Sequence, residues 1–290
     1  MLNEELISGS KQRIKAVNLH LHSRYSDGAF KPKALLQTAV QNGLDLISIT
    51  DHDTVEAYGH LPNGELPLRL LPGIEFSSVW DNNDIHILGY GLDVKNPELL
   101  KILVWMKNGR RVRAEKMLDN LARMGIKVPL ENVLKYAGDM QLIIRPHIAQ
   151  AMVEGKYVNT KQEAFEKYIG NEGPAYVPKP ILTPEEVIKY IHDAGGMAIV
   201  AHPGKLPSLK YLDDFLKQGI DGLEVWHPEH SDDLKFRLAE FCEQNKLLQT
   251  GGSDYHGEEG YGCDFYSIPA TDAILNSVQT LWEHYIWTKK

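Results

Sequence analysis

The chain has 290 residues, 43% of them hydrophobic and 24% charged, which is enough apolar material for a substantial buried core and excludes a disordered or fibrous chain. Its formal charge of -8 excludes a broad electropositive surface for tracking long nucleic acid, yet leaves room for a small anionic ligand whose charge bound cations offset. The two cysteines, Cys242 and Cys263, make neither a disulfide framework nor a zinc-ligand spacing; the opening MLNEELISGSKQRIK lacks a basic region followed by an apolar stretch, and no run nears the roughly 20 apolar residues of a membrane span, so the sequence predicts a soluble, cytoplasmic protein.

Residues 14–19 form an apolar run that predicts a first buried strand, ending in Asn18-Leu19-His20-Leu21-His22. Side chains alternate along a strand, so His20 and His22 project to one side and can share a cation. Asp27 follows in Ser26-Asp27-Gly28, where glycine permits a reversal that returns the carboxylate to the same place. A helical pattern over residues 33–42 leads into a second strand, residues 44–49, which delivers Asp51-His52-Asp53. Taken alone, that triplet also reads as a helix cap with an ion pair. The run at residues 68–74 ends on Glu75, and His86 lies within the next strand, residues 85–91; singly, these read as a structural acid and a satisfied core histidine.

From 97 to 180 the rhythm breaks. Helical patterns over residues 99–124 and 161–169 come with no strand between them, which predicts a helical insertion. Arg110, Arg111, Arg113 and Arg145 concentrate positive charge there, suiting either a lid over an anionic ligand or a solvated helix face. Strand and helix then alternate again: a helix over 184–194, a strand over 197–201 closing on Ala201-His202-Pro203, and a strand over 222–225 followed by Trp226-His227-Pro228-Glu229-His230. A helix over 232–244 and a strand over 247–250 lead to Gly252-Ser253-Asp254-Tyr255-His256. The alternation predicts a parallel sheet or barrel. His227 and His230 fit a substrate contact or a surface loop, and Tyr25 and Tyr255 are placed where they can stack on a base.

Most of the 12 histidines fall at or just after the end of a predicted strand, where α/β barrels build their sites. His20, His22, Asp27, His52, Glu75, His86, His202, Asp254 and His256 converge on one end of one sheet, and so many imidazoles and carboxylates cannot pack together without cations. Mixed His and carboxylate donors suit manganese, iron or zinc better than magnesium or calcium, and the number of donors implies two or three ions, an arrangement fit for in-line displacement at phosphorus.

The segments NLHLHSRYSDG, SITDHDTVEA, GIEFS with IHILGYG, and AHPGK with GGSDYHG resemble the motifs of the PHP (polymerase and histidinol phosphatase) phosphoesterases, in their order and over nearly the whole chain. The helical insertion falls where the small nucleotide phosphatases of that family carry one. The resemblance implies a distorted (β/α)7 TIM-like barrel from residues 1–96 and 181–290, with 97–180 as a lid, and a trinuclear centre on the nine residues above. It also implies phosphate contacts from Arg145 and His147 in Arg145-Pro146-His147. The expected reaction is hydrolysis of a phosphate monoester on AMP, a nucleoside 3′,5′-bisphosphate or a short 5′-phosphorylated oligonucleotide; histidinol-phosphate hydrolysis and a non-catalytic, metal-stabilised module are the alternatives. Asp53 is expected either to orient His52 or to serve a turn.

Overall fold

In the computed structural model, residues 14–62, 66, 68–137, 143–178, 182–257, 265, 268 and 271–288 are described. Along them run β1 (Val17–Asn18), α1 (Pro32–Gln41), β2 (Leu46–Ile47), β3 (Arg69–Leu70), β4 (Gly73–Trp80), β5 (Asn83–Tyr90), α2 (Pro97–Arg123), α3 (Leu130–Leu134), α4 (Arg145–Glu154) and α5 (Lys161–Ala164). These are followed by α6 (Pro184–Asp193), β6 (Met197–Val200), α7 (Tyr211–Gln218), β7 (Gly222–Trp226), α8 (Asp232–Asn245), β8 (Leu248–Gly251) and α9 (Asp272–Thr288). Cys263 and the 180/181 insertion boundary lie outside the described residues.

Each predicted strand region is extended, but the run expected as one strand over 68–74 is split between β3 and β4, which belong to different sheets, and the strands are not all parallel. β1, β2 and β3 form one parallel sheet, and β4 to β8 form a second in sequence order. β5 is antiparallel to both β4 and β6, while β6, β7 and β8 run parallel. The alternation of strand and helix fails between β4 and β5 because Asp81 and Asn82, with φ of 49° and 60°, make a two-residue turn. Left-handed φ at both central positions matches the twist of a hairpin, whereas a parallel partner needs a crossover of about a dozen residues. The reversal matters for the site: it brings His86, near the start of β5, opposite Ser77 and beside Glu75, which lies early in β4.

The expected closed barrel is represented among the described residues by these two sheets, joined where their strands run on into loops. Leu19 N–H donates to Gly251 O at 3.2 Å and His22 N–H to Tyr255 O at 3.0 Å, tying the end of β1 to β8. Glu75 N–H donates to Asp51 O at 3.2 Å and Asp53 N–H to Glu75 O at 2.9 Å, tying the end of β2 to β4. Most of the site residues sit along these two seams, with His86 on β5 and His202 just after β6.

Helices cover the sheets with period-3.6 apolar stripes. α6 begins with a capping box, Thr183 Oγ1 accepting from Glu186 N at 3.3 Å and Glu186 Oε2 accepting from Thr183 N at 2.8 Å, and buries Val187, Ile188 and Ile191. α2 starts at Pro97 behind Asn96, whose side chain accepts from the Glu98 and Leu99 amides, each at 3.0 Å. Its first half, through Leu99, Leu103 and Met106, packs into the core of the five-stranded sheet. Its second half, through Ala114, Met117, Leu118 and Leu121, packs into a separate apolar cluster with Val133, Ile148, Met152 and Ile169. One helix therefore belongs to two cores. No helix among the described residues is long and apolar enough to cross a membrane. Cys242 is buried, and that burial pushes its thiol up to about 12, so it is an inert core residue.

Candidate metal centre

His20 and His22, one strand-step apart past β1, are both fully buried and face the same cavity. Glu75 of β4 lies at its centre. Its Oε2 is 3.3 Å from His20 Nε2, 3.2 Å from His22 Nε2 and 3.1 Å from His52 Nδ1, while Oε1 is 2.8 Å from His86 Nδ1 and 3.0 Å from His202 Nε2. Asp254 turns Oδ1 towards His20 (3.3 Å) and His22 (3.1 Å). Asp27 reaches His22 Nδ1 at 3.4 Å, His256 Nε2 at 3.4 Å and His52 Nε2 at 3.7 Å. All nine candidate donors are thus brought together.

Eight of them fall into three overlapping groups whose donor atoms lie within 4.8 Å of one another: His22, Asp27, His52 and His256; His20, His22, Glu75 and Asp254; and His52, Glu75 and His86; His202 joins them through Glu75 Oε1. Within this cluster His20 Nε2, His22 Nε2, His52 Nδ1, His86 Nδ1 and Glu75 Oε2 are buried with no hydrogen-bond partner. Orphaned donors and acceptors aimed at one point are costly unless something else binds them, and a cation does so for all of them at once. The opposite nitrogens are engaged: His20 Nδ1 meets Glu224 Oε1 at 2.9 Å and His256 Nδ1 meets Asp254 O at 2.8 Å, the outer contacts that fix ring orientation in metal-binding histidines. The residues present fit a divalent-metal site.

Electrostatics without cations point the same way. Burial favours the neutral forms, yet His22 is pushed up to about 10 by contact with Asp254 and Glu75. Burial together with the His22 and His86 imidazoles, against the pull of Glu75 and Asp27, brings His52 down to about 3. Burial opposes ionisation of Glu75 as well, but His52, His86 and His20 hold its carboxyl well below the usual range. Neighbouring imidazoles are thus pulled in opposite directions, by burial on one side and by the shared carboxylates on the other.

Local backbone holds this arrangement under strain. Asp53, His202 and Asp254 have φ of 51°, 28° and 51°, a region β-carbon-bearing residues seldom occupy and that persists where surrounding contacts over-determine it. Gly28 has no left-handed φ; it is required because a Cβ there would strike the His22 carbonyl. Gly252 is tighter still, since a Cβ would overlap both Cβ and the backbone nitrogen of His20. Gly252→Ala should therefore displace His20, costing about 1–3 kcal/mol as overpacking, and lower metal affinity. Thermal unfolding with and without added Mn²⁺ checks this: wild-type behaviour in both scans would refute the contact.

Several assignments change. Asp53 does not orient His52; its Oδ1 accepts from Ser77 N at 2.7 Å, and Oδ2 is bound by Arg110, which also donates to Ser77 Oγ at 2.8 Å. Asp51 accepts from Ser23 N, Ser23 Oγ and Ser26 Oγ at 2.7, 2.6 and 2.7 Å, knotting the loop after β1 to the end of β2. Arg110 and Arg113 are buried, Arg113 donating from Nε to Val177 O at 2.6 Å, so neither lies on a solvated face; Arg111 does, paired with Glu115. Tyr25 stacks on His60 and Tyr255 on Phe30.

His227 and His230 are buried rather than on a surface loop. His227 accepts the Glu229 amide at Nδ1, which leaves the proton on Nε2, 3.5 Å from Asp254 Oδ2; Lys205 Nζ is 3.4 Å from the same oxygen. Glu224, which the motifs did not single out, is fully buried, holds His20 and accepts from His202 N at 2.7 Å. Burial would raise its carboxyl, but His20 keeps it down at about 2. Its only sequence signal is a lone charge in the apolar run Gly222–Trp226.

A PHP domain family model matches residues 18–128. The chain is 33% identical over 248 residues to the 5'-3' exoribonuclease Rnm of Escherichia coli, covering 82% of this chain and 84% of that one. It is 32% identical over 255 residues to the 3',5'-nucleoside bisphosphate phosphatase of Chromobacterium violaceum, covering 84% and 89%. A crystal structure from Bifidobacterium adolescentis, assigned as a metal-dependent phosphoesterase, superposes with a TM-score of 0.80 at 29% identity, covering 93% of this chain and 96% of that one. Fold, cluster and relatives define a phosphoric ester hydrolase. The chain belongs to the PHP family of metal-dependent phosphoesterases.

Proposed function

We propose that this enzyme removes a phosphate from a small nucleotide, a nucleoside 3′,5′-bisphosphate or AMP, and also acts on short 5′-phosphorylated oligonucleotides. The observation that carries the reading is the set of three donor groups sharing His22, His52 and Glu75. His20, His22, Asp27, His52, Glu75, His86, His202, Asp254 and His256 would hold two or three divalent cations, with Mn²⁺, Fe²⁺ or Zn²⁺ favoured by mixed imidazole and carboxylate donors without thiolate. Such ions, when bound, supply charge neutralisation and an activated water for attack at phosphorus. Asp51 and Glu224 keep the donor side chains in position. The connected ends of β1, β2, β4 and β8 support a seven-stranded barrel in which β3 and β4 count as one strand.

Residues 97–180 act as a lid, a reading supported by their having an apolar cluster of their own, to which the second half of α2 contributes while its first half packs into the sheet core. Arg145 and His147 open α4, where backbone N–H groups favour an anion. Arg145 Nη1 donates to Asn171 Oδ1 at 2.7 Å and Nη2 lies 3.6 Å from Asp84, so a phosphate gripped by its planar fork would take the place of these two partners. Burial brings His147 down to about 4, and its Nδ1 accepts from Ile144 N at 3.4 Å, so near neutral pH it is an uncharged Nε2–H donor rather than a proton source. Arg145→Ala should raise KM by about tenfold to a hundredfold with a smaller change in kcat, the pattern of a lost phosphate contact. An unchanged KM would remove Arg145 from the substrate site.

The test is inorganic phosphate release with Mn²⁺ from AMP, a nucleoside 3′,5′-bisphosphate, histidinol phosphate and a short 5′-phosphorylated oligoribonucleotide, with Asp254→Ala as control. Turnover of a nucleotide, lost in the variant, supports the reading. Turnover of histidinol phosphate alone transfers it to that substrate, and no turnover with metal bound leaves a non-catalytic module.

A further inference from the structure

α2 is 27 residues long, about 40 Å at the usual helical rise. One face is spent on the two cores through Leu103, Met106, Arg110, Arg113, Ala114 and Met117. The opposite face of a surface helix ordinarily carries charged and polar groups. Here it carries Leu100, Val104, Trp105 and Val112, exposed by 41%, 58%, 47% and 49%, and nothing among the described residues covers them.

The order of residues on this face says what does. A two-fold axis through Asn108, with a second α2 running antiparallel, sets Val104 against Val112 and Lys101 against Glu115 near the centre of the seam, with Trp105 flanking Val112 of the second copy. Each contact then occurs twice, as an isologous interface requires. Apolar meets apolar, and opposite charges meet. Within one chain Lys101 is 3.5 Å from Glu98 and Arg111 is 3.1 Å from Glu115, with all four side chains at least 45% exposed. Such pairs contribute little and exchange partners readily. Asn108 at the axis meets its own copy, and an amide pair in a helical seam sets register.

We infer that the exposed face of α2 is the interface of a two-fold dimer of this chain, with α2 packed antiparallel on its counterpart about Asn108. The dimer sets two copies of the helix back to back, on the side away from Arg110, and leaves both metal clusters unobstructed.

Sedimentation velocity of the full chain over a wide concentration range provides the test, with thermal unfolding of each variant as a check on folding. The expected result is a reversible monomer–dimer equilibrium that Val104→Asp weakens by about tenfold or more, while unfolding of the monomer at low concentration stays as in wild type. Lys101→Glu and Glu115→Lys should each weaken association, and the two combined in one chain should restore it, because each then meets its complement across the axis. A monomer at every concentration, a dimer indifferent to Val104→Asp, or a charge swap that fails to restore association would each overturn the proposal.

Discussion

Glu75→Gln is expected to lower phosphoesterase turnover by about a thousandfold or more, equivalent to roughly 4 kcal/mol in the barrier, and to reduce the metal content of the purified protein. Among the described residues, Glu75 is the one carboxylate whose two oxygens lie within 3.3 Å of five imidazoles: His20, His22, His52, His86 and His202. Glutamine keeps the shape but removes the charge and replaces one oxygen with a donor, which then points at ring nitrogens required to be free of protons. Outer contacts to metal ligands cost about tenfold to a hundredfold when lost, so removing a shared ligand must cost more. The measurement is elemental analysis beside phosphate release. Full metal content with full activity would take Glu75 out of the centre; full metal content with lost activity would give it a role in handling substrate.

Arg110→Ala is expected to lower stability by about 3–5 kcal/mol, because it leaves the carboxylate of Asp53 buried without its counter-charge. For a chain of this size that is a fall in Tm of about 10 °C. The effect should reach the site, since the Asp53 amide donates to Glu75 O at 2.9 Å and Asp53 itself holds a left-handed φ of 51°. A double change of Arg110→Met with Asp53→Asn should cost less than the two single changes added together, because the second removes the group stranded by the first. Thermal scans of the three variants decide it. A single variant melting with wild type would mean that Asp53 stays adequately bound by Ser77 alone.

Much of the centre was legible in the sequence because its signals are local. A two-residue step such as His20 to His22 or Asp254 to His256 is a property of extended backbone, and the apolar runs before them mark where strands end. The arginines of α2 were harder, since composition gives their charge but not their partners: Arg110 binds Asp53, 57 positions away, and Arg113 binds the Val177 carbonyl. Glu224 was hidden for a similar reason, its partner His20 lying 204 positions away. The antiparallel course of β5 depended on two left-handed turn residues, Asp81 and Asn82, whose sequence fits many turns.

By itself, then, the amino-acid sequence determined the acidic globular character, the strands and helices, the family and the set of residues able to bind metal, because composition, periodicity and short motifs are written along the chain. Tertiary structure alone decided that eight of the nine fall into three donor groups, two of them built on Glu75, that Glu224 rather than Asp53 holds a histidine of the cluster, and that Arg110 and Arg113 of α2 brace the fold on one side while its apolar stripe faces outward on the other. Those outcomes rest on which distant side chains packing brings within a few ångströms of one another, and the energy of a buried charge depends on that neighbour far more than on its own identity.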